Sequence, residues 1–157
     1  VVTGIMSVNG EPIKIPGPGD VIFFSVKDIK KEEISRGDLI GNIKSPPKLV
    51  SEVTARIIVA QDDSFELTEG YNAVFHFHTC CLPCKITKII SKIDPGTYKV
   101  LEANPKSVKK GELAIVKIKP SRNISIEIAG EFPHILCSFA VRDSGRTTAA
   151  GLCIDAK

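Results

Sequence analysis

Residues 70–86 read GYNAVFHFHTCCLPCKI and crowd histidines and cysteines into one short stretch. His76, His78, Cys80, Cys81 and Cys84 carry imidazole nitrogen and thiolate sulfur, the donors that zinc takes most often. In an extended chain alternate residues share a face, so His76, His78 and Cys80 point one way and Cys81 the other. Cys84 follows Pro83, which reads as part of a turn that folds Cys84 back toward the others. A site of two histidines and two cysteines is one reading of the stretch. It lacks the second distant pair of a zinc finger, because Cys81 and Cys84 form a lone Cys-x-x-Cys. The other reading makes the cysteines small buried hydrophobes and the histidines residues of a strand face.

The same thiols raise the question of nucleophilic catalysis. Cys80 would need a base such as His78 or His134, itself held by a third group, and no spacing in the chain supplies that arrangement. The sequence also has no Gly-x-x-x-x-Gly-Lys-[Ser/Thr] loop, no Gly-x-Ser-x-Gly elbow and no His-Glu-x-x-His. Covalent chemistry is not expected here. A second constellation lies at residues 139–154, FAVRDSGRTTAAGLCI. A strand ends at Arg142-Asp143, a tight Ser144-Gly145 turn follows, and Arg146-Thr147 opens a strand that Gly151 interrupts. Two arginines thus project from one hairpin end, and their planar forks suit phosphate or carboxylate. The alternative is an internal pair, with Asp143 capping the turn and neutralising one arginine.

The elements that carry these groups read as short strands. VIFFSV, ARIIVA, AVFHFH, TYKVLE, LAIVKIK, ISIEIA and CSFAVRD are rich in Val, Ile and Phe. Turn signals separate them: Pro18-Gly19-Asp20, Arg36-Gly37-Asp38, Asp94-Pro95-Gly96, Lys110-Gly111-Glu112 and Ser144-Gly145-Arg146. This spacing predicts an all-β chain with an antiparallel barrel or sandwich. IKKEEIS is either a helical turn or a loop. KITKIISKI sets Ile86, Ile89, Ile90 and Ile93 at helical spacing although its β-branched residues favour a strand. Pro46-Pro47 stiffens residues 45–52 and bars them from a central strand. The expected organisation is the end of one barrel at 1–44, a Pro-rich linker at 45–52 and a complete antiparallel barrel at 53–157.

Size, charge and cysteine usage bound the function. The 157 residues suit one domain, or one with part of another. A net charge of +3 neither demands nor excludes a nucleic-acid partner. Lysines gather between Lys85 and Lys119 with Arg122 after them, while residues 61–69 are acidic. That gathering could meet a phosphate backbone or be the wet face of strands. Five cysteines, without an apolar leader, read as free thiols in the cytoplasm. No apolar run reaches the roughly 20 residues that cross a bilayer, so no membrane partner is expected.

Taken in order, the segments PGD, KKEEISRGDLIGN, SPP, ARIIV, GYNAVFHFHT, ANPKSVKKGELAIVKIKP and EFPHILCSFAVRDSGRTTAAG are similar to the second and third domains of translational GTPases. The group is elongation factor 1-alpha with the class II release-factor and ribosome-rescue GTPases, and the similarity covers nearly the whole chain. It implies an antiparallel barrel of the third-domain type preceded by part of a second barrel. It implies a parent protein that uses GTP and magnesium through a GTPase domain lying outside this chain, with no cofactor in the chain itself. The implied partners are that GTPase domain, the ribosome, and either aminoacyl-tRNA or a tRNA-shaped release or rescue factor.

By the same resemblance the ligand-facing positions are His78, Thr79, Arg142, Asp143, Gly145, Arg146 and Thr147. His76 and His78 then read as strand-face residues, with the metal set kept as the alternative. RGDLIGNIKSPP and KKGELAIVKIKP resemble elongation factor 1-alpha, whereas GYNAVFHFHTC and RDSGRT resemble the release and rescue branch. One departure bears on the branch: the family's Gly-Arg-Phe is Cys137-Ser138-Phe139 here. Loss of that basic residue weakens phosphate contacts more than protein contacts, so the expected ligand is a tRNA-shaped release or rescue factor, with aminoacyl-tRNA as the alternative.

Overall fold

The computed structural model describes residues 1–62, 64–130 and 134–157, without the side chain of His134. The described residues fall into two compact units, 1–35 and 36–157. In the first, β1 (Val2–Ser7) pairs antiparallel with β2 (Ile22–Val26), with an irregularity between Val2 and Gly4. None of residues 1–35 is buried, and a two-stranded ribbon by itself is marginal in water. Within IKKEEIS, Lys31–Glu33 forms a 3-10 turn in which Glu33 Oε2 accepts from the Lys30 N–H at 2.9 Å. By its contacts Pro46-Pro47 belongs to the second unit.

The second unit runs β3 (Leu49–Val50), β4 (Val53–Val59), β5 (Leu67–Thr68), β6 (Asn72–Phe77), β7 (Cys80–Ile93), β8 (Val100–Ala103), β9 (Ser107–Val108), β10 (Leu113–Pro120), β11 (Ile124–Ser125), a helical turn α1 (His134–Cys137), β12 (Ser138–Asp143) and β13 (Arg146–Ala156). Six strands close a barrel in the order β10, β4, β13, β12, β6, β7, and β7 returns to pair with β10. Every pairing is antiparallel. The all-β expectation holds. TYKVLE yields a strand only from Val100, and ISIEIA keeps only Ile124–Ser125 as strand.

Alternation builds the core. Val53, Ala55, Ile57 and Val59 on β4 point inward, as do Phe75 and Phe77 on β6 and Ala114, Val116 and Ile118 on β10. Phe75, Phe77 and Phe139 form an aromatic cluster with ring centroids 5.3 to 5.9 Å apart. Burying each such ring contributes on the order of 2 kcal/mol.

KITKIISKI is strand throughout, inside the 14-residue β7. Its helix-like spacing has a cause in the pairing with β10. Ile118 faces Ile86 but Lys117 faces Lys88, and Val116 faces Ile89 but Ile115 faces Ser91. Thr87 and Ile90 are therefore extra residues, each a bulge; the first resets the alternation of buried residues, and the second leaves it at two-residue spacing. Ile86, Ile89, Ser91 and Ile93 end up buried. At the first bulge the Ile89 N–H donates to Glu69 Oε1 at 3.0 Å, so one glutamate of the acidic stretch does structural work.

Gly151 does not interrupt its strand, contrary to the sequence expectation. It lies within β13 and pairs with Phe139 and Ile57. A Cβ there would sit 2.5 Å from the Arg56 carbonyl oxygen and 2.5 Å from the Phe139 ring. Strand β13 runs between two neighbours that close on bare backbone. Gly151→Ala is expected to cost about 1–3 kcal/mol through forced displacement of backbone or ring; a urea melt checks this, and an unchanged midpoint at unchanged slope contradicts it.

Candidate ligand-binding surface

The arginine hairpin is built by a two-residue turn. Asp143 pairs with Arg146, leaving Ser144 and Gly145 between them with φ of 49° and 79°. Both central residues have positive φ, the turn whose twist matches that of the flanking strands. Gly145 takes such a conformation without a Cβ penalty. The Arg142 guanidinium donates to the Gly145 carbonyl at 3.0 Å, which ties it across the turn. Asp143 does not serve as a counter-ion within the turn: it accepts from the Tyr71 hydroxyl at 3.1 Å and from Ser144 Oγ at 3.0 Å. Arg146 stands 3.7 Å from Asp62 with both side chains largely exposed, a pairing worth little in water. Thr147 is exposed, while Thr148 turns inward and donates to the Val141 carbonyl.

Tyr71 is a residue that the sequence reading missed. It follows Gly70 at the foot of β6, packs edge-on against Phe65 and reaches the hairpin through Asp143. Burial pushes its phenol up, and the Asp143 carboxylate adds to this, so the hydroxyl stays a donor. The only signal in the sequence was its place just ahead of an alternating strand.

His78 and Thr79 form the turn between β6 and β7, since Phe77 pairs with Cys80. His78 has φ of 36°, and its Nε2 lies 2.9 Å from the Ser125 carbonyl; Thr79 is exposed. The two groups of expected site residues do not converge. Phe77 faces Phe139 while Val74 faces Arg142, so the His78-Thr79 turn and the arginine hairpin sit at opposite ends of β12. With about 3.3 Å per residue they are separated by roughly 13 Å or more, which only a large ligand spans.

The metal candidates disperse. His76 pairs with Cys81, and Cys81 Sγ lies 3.1 Å from His76 Nδ1 on the exposed side. Cys81 therefore shares a face with His76, the reverse of the expectation, because His78 and Thr79 turn the chain between them. Cys84 does not fold back through a turn. Pro83 continues strand β7 and Cys84 points into the core. Cys80 is buried too, 3.7 Å from Arg122 Nη2. Among the described residues no group of three or more His, Cys, Asp or Glu side chains could hold a metal ion.

Burial also pushes the Cys80 thiol up, which opposes its use as a nucleophile. The side chain of His134, its other conceivable base, lies outside the described residues. The chain has no Gly-x-x-x-x-Gly-Lys-[Ser/Thr] phosphate-binding loop. No described helix is long and apolar enough to cross a membrane.

The barrel, with turns that display arginine, histidine and threonine at its ends, is of the class of closed antiparallel β-barrels seen in solved structures of sup35. More particularly, the chain belongs to the family described as GTP-eEF1A C-terminal domain-like, which matches residues 52–154. It is 43% identical over 152 residues to elongation factor 1-alpha of Methanocaldococcus jannaschii, covering 97% of this chain and 35% of that protein. It is 41% identical over 150 residues to elongation factor 1-alpha of Methanothermobacter thermautotrophicus, covering 96% of this chain and 36% of that protein. The chain thus spans about a third of the length of these relatives. Solved structures of sup35 complexed with GDP and with GMPPNP superpose with TM-scores of 0.86 and 0.87 at 24% identity, covering 99% of this chain and 37% of theirs.

Thiol chemistry tests the placement of the cysteines. Burial pushes the Cys84 and Cys153 thiols up from an ordinary 9.0 to about 12. Iodoacetamide under native conditions is expected to modify Cys81 well before either, as peptide mapping would read. The folded state holds these protons where the unfolded chain loses them, so stability should fall as pH rises from about 9 toward 12. A flat stability profile across that window would contradict the burial.

Proposed function

We infer that this chain is the ligand-holding barrel region of an elongation factor 1-alpha-like GTPase, with aminoacyl-tRNA as the ligand and delivery to the ribosome as its task. The supporting observation is the family match together with identity above 40% to elongation factor 1-alpha of several archaea over nearly the whole chain. In this reading Arg142 and Arg146 meet phosphate, Asp143 and Gly145 shape the hairpin, and Thr147, His78 and Thr79 add contacts. GTP and magnesium are bound by the GTPase domain of the parent protein, and this chain contributes no covalent step. Residues 1–44 form part of an adjoining barrel, with 45–52 as the linker. The site of action is the cytoplasm.

A second reading rests on Ser138. This residue opens β12 opposite Leu152, where the family resemblance leads one to expect a basic residue, and its lack of charge favours a tRNA-shaped release or rescue factor over RNA. The discriminating experiment titrates the GTP-loaded protein containing this chain with aminoacyl-tRNA at two salt concentrations, beside capture of release or rescue factors. Salt-sensitive tRNA binding supports the elongation reading. Capture of a protein factor without tRNA binding overturns it in favour of the second.

The Arg142→Ala, Arg146→Ala double variant should weaken tRNA binding about tenfold or more with its thermal midpoint nearly unchanged, because both side chains are exposed. Ser138→Arg should strengthen it. Collapse of folding in the arginine variant would make these residues structural and remove them from the site.

A further inference from the structure

Arg56 stands on the outer face of β4, between Ala55 and Ile57, which point into the core. Its side chain is half-buried, and its Nε–H is closed off from water without a hydrogen-bond partner. Among the described residues no carboxylate pairs with it. The Tyr98 ring lies against the guanidinium, with its centroid 5.0 Å away. A ring face attracts the cation, yet it supplies no acceptor oxygen to the Nε–H. A buried donor left unpaired costs about 1–3 kcal/mol, a deficit that an incoming acceptor would remove.

The position of Tyr98 is itself strained. Its φ of 56° lies in the left-handed region that residues with a Cβ avoid. The turn at residues 94–99 enforces it. Asp94 Oδ1 accepts from the Gly96 and Thr97 N–H groups at 3.1 and 2.7 Å, and the Tyr98 N–H donates to the Asp94 carbonyl at 2.8 Å. Such strain persists only where the surroundings over-determine it. Under the ring, Arg56 and Tyr98 border a cavity of about 290 Å³ whose other walls include Ile58, Leu113, Ala150 and Leu152. Ile58 and Tyr98 are 41% and 58% exposed, so the cavity opens to solvent. One cation with an unused donor, set beside an apolar wall, is the arrangement of a site for an amphipathic anion. A bare phosphate would lose its hydration against that wall and gain a single cation in return.

We propose that this cavity binds the free C-terminus of a protein that ends in an apolar residue, with the α-carboxylate on Arg56 and the last side chain against Ile58, Leu113, Ala150 and Leu152. An α-carboxylate and its side chain stand on one carbon, so a single residue meets a cation and an apolar wall that lie side by side. The volume fits that occupant, being at the low end of ligand pockets, which start near about 300 Å³. As the exposed Tyr98 ring gives way, the carboxylate reaches Nε and one terminal nitrogen together, the two-pronged pairing that arginine makes best. The site is separate from the arginine hairpin. Ala150 and Leu152 follow Arg146 along β13, and at about 3.3 Å per residue they lie roughly 13 and 20 Å from it.

The test titrates the 157-residue chain, labelled with nitrogen-15, with N-acetyl-leucine and follows it by NMR. The amides of Arg56, Ile58, Leu113, Ala150 and Leu152 and the Arg56 Nε–H should shift together and saturate, with a dissociation constant of about a millimolar for so small a probe. N-acetyl-leucinamide, which lacks the charge, and acetate, which lacks the side chain, should each bind about tenfold more weakly or worse. Arg56→Gln should make the acid and the amide bind alike, and Arg56→Lys should recover only part of the difference, because an ammonium has no fork. Unchanged amide positions elsewhere in each variant separate lost binding from lost folding. Arg142→Ala with Arg146→Ala should leave the titration unchanged. Absence of saturable shifts at these residues overturns the proposal, as does equal binding of acid and amide by the unsubstituted chain. Binding of N-acetyl-glutamyl-leucinamide as tight as that of N-acetyl-leucine also overturns it, by making the occupant an internal acidic segment.

Discussion

The structure depends on one strand pairing twice. Strand β7 begins against β6, then passes its second half to β10, and this second pairing converts an open sheet into a closed barrel. Closure removes the exposed edges on which strands aggregate and encloses a core of Val, Ile and Phe side chains. The bulges at Thr87 and Ile90 let one continuous strand turn with the barrel while keeping Ile86, Ile89 and Ile93 inside. Without those extra residues the simple alternation from Ile86 would send Lys88 inward.

A closed barrel is a rigid stand for its turns. The hairpin at Ser144-Gly145 is held by Arg142 bonding across the turn and by Tyr71, just ahead of β6, donating to Asp143. The turn at His78-Thr79 is anchored to Ser125. Arg142, Asp143 and His78 are thus each held by a hydrogen-bond partner, so less of their side-chain freedom remains to be lost when a ligand arrives. The two turns face opposite ends of β12, which suits an extended ligand in contact with much of the barrel.

Much of this was legible in the alternating strands and their turn residues. ARIIVA, AVFHFH, LAIVKIK and CSFAVRD each became a barrel strand, and Ser144-Gly145 became the tight turn expected of it. KITKIISKI could not be resolved from periodicity, because the bulge at Thr87 spaces the buried Ile86 and Ile89 three apart as a helix would, while Ile90, which completes the helical pattern in the sequence, is outside the buried set. The orientation of Cys81 was misread because the chain reverses at His78-Thr79, and alternation does not survive a turn. Pro83 suggested a turn, yet on β7 it lies in the strand, with its ring on the exposed side. Gly151 looked like a break; its reason is the approach of Phe139 and the Arg56 carbonyl from other strands, contacts that local sequence does not reveal. The role of Tyr71 was hidden for the same cause, since its partner lies far along the chain.

Amide hydrogen exchange on the isolated chain tests the central claim, that pairing of β7 with β10 closes the barrel. The amides of residues 86–93 that bond to β10 should exchange only through global opening, with the same free energy and denaturant dependence as those of β4 and β13 in the opposite wall. Faster, denaturant-insensitive exchange confined to β7 and β10 would mean that this seam opens on its own and that the fold is an open sheet.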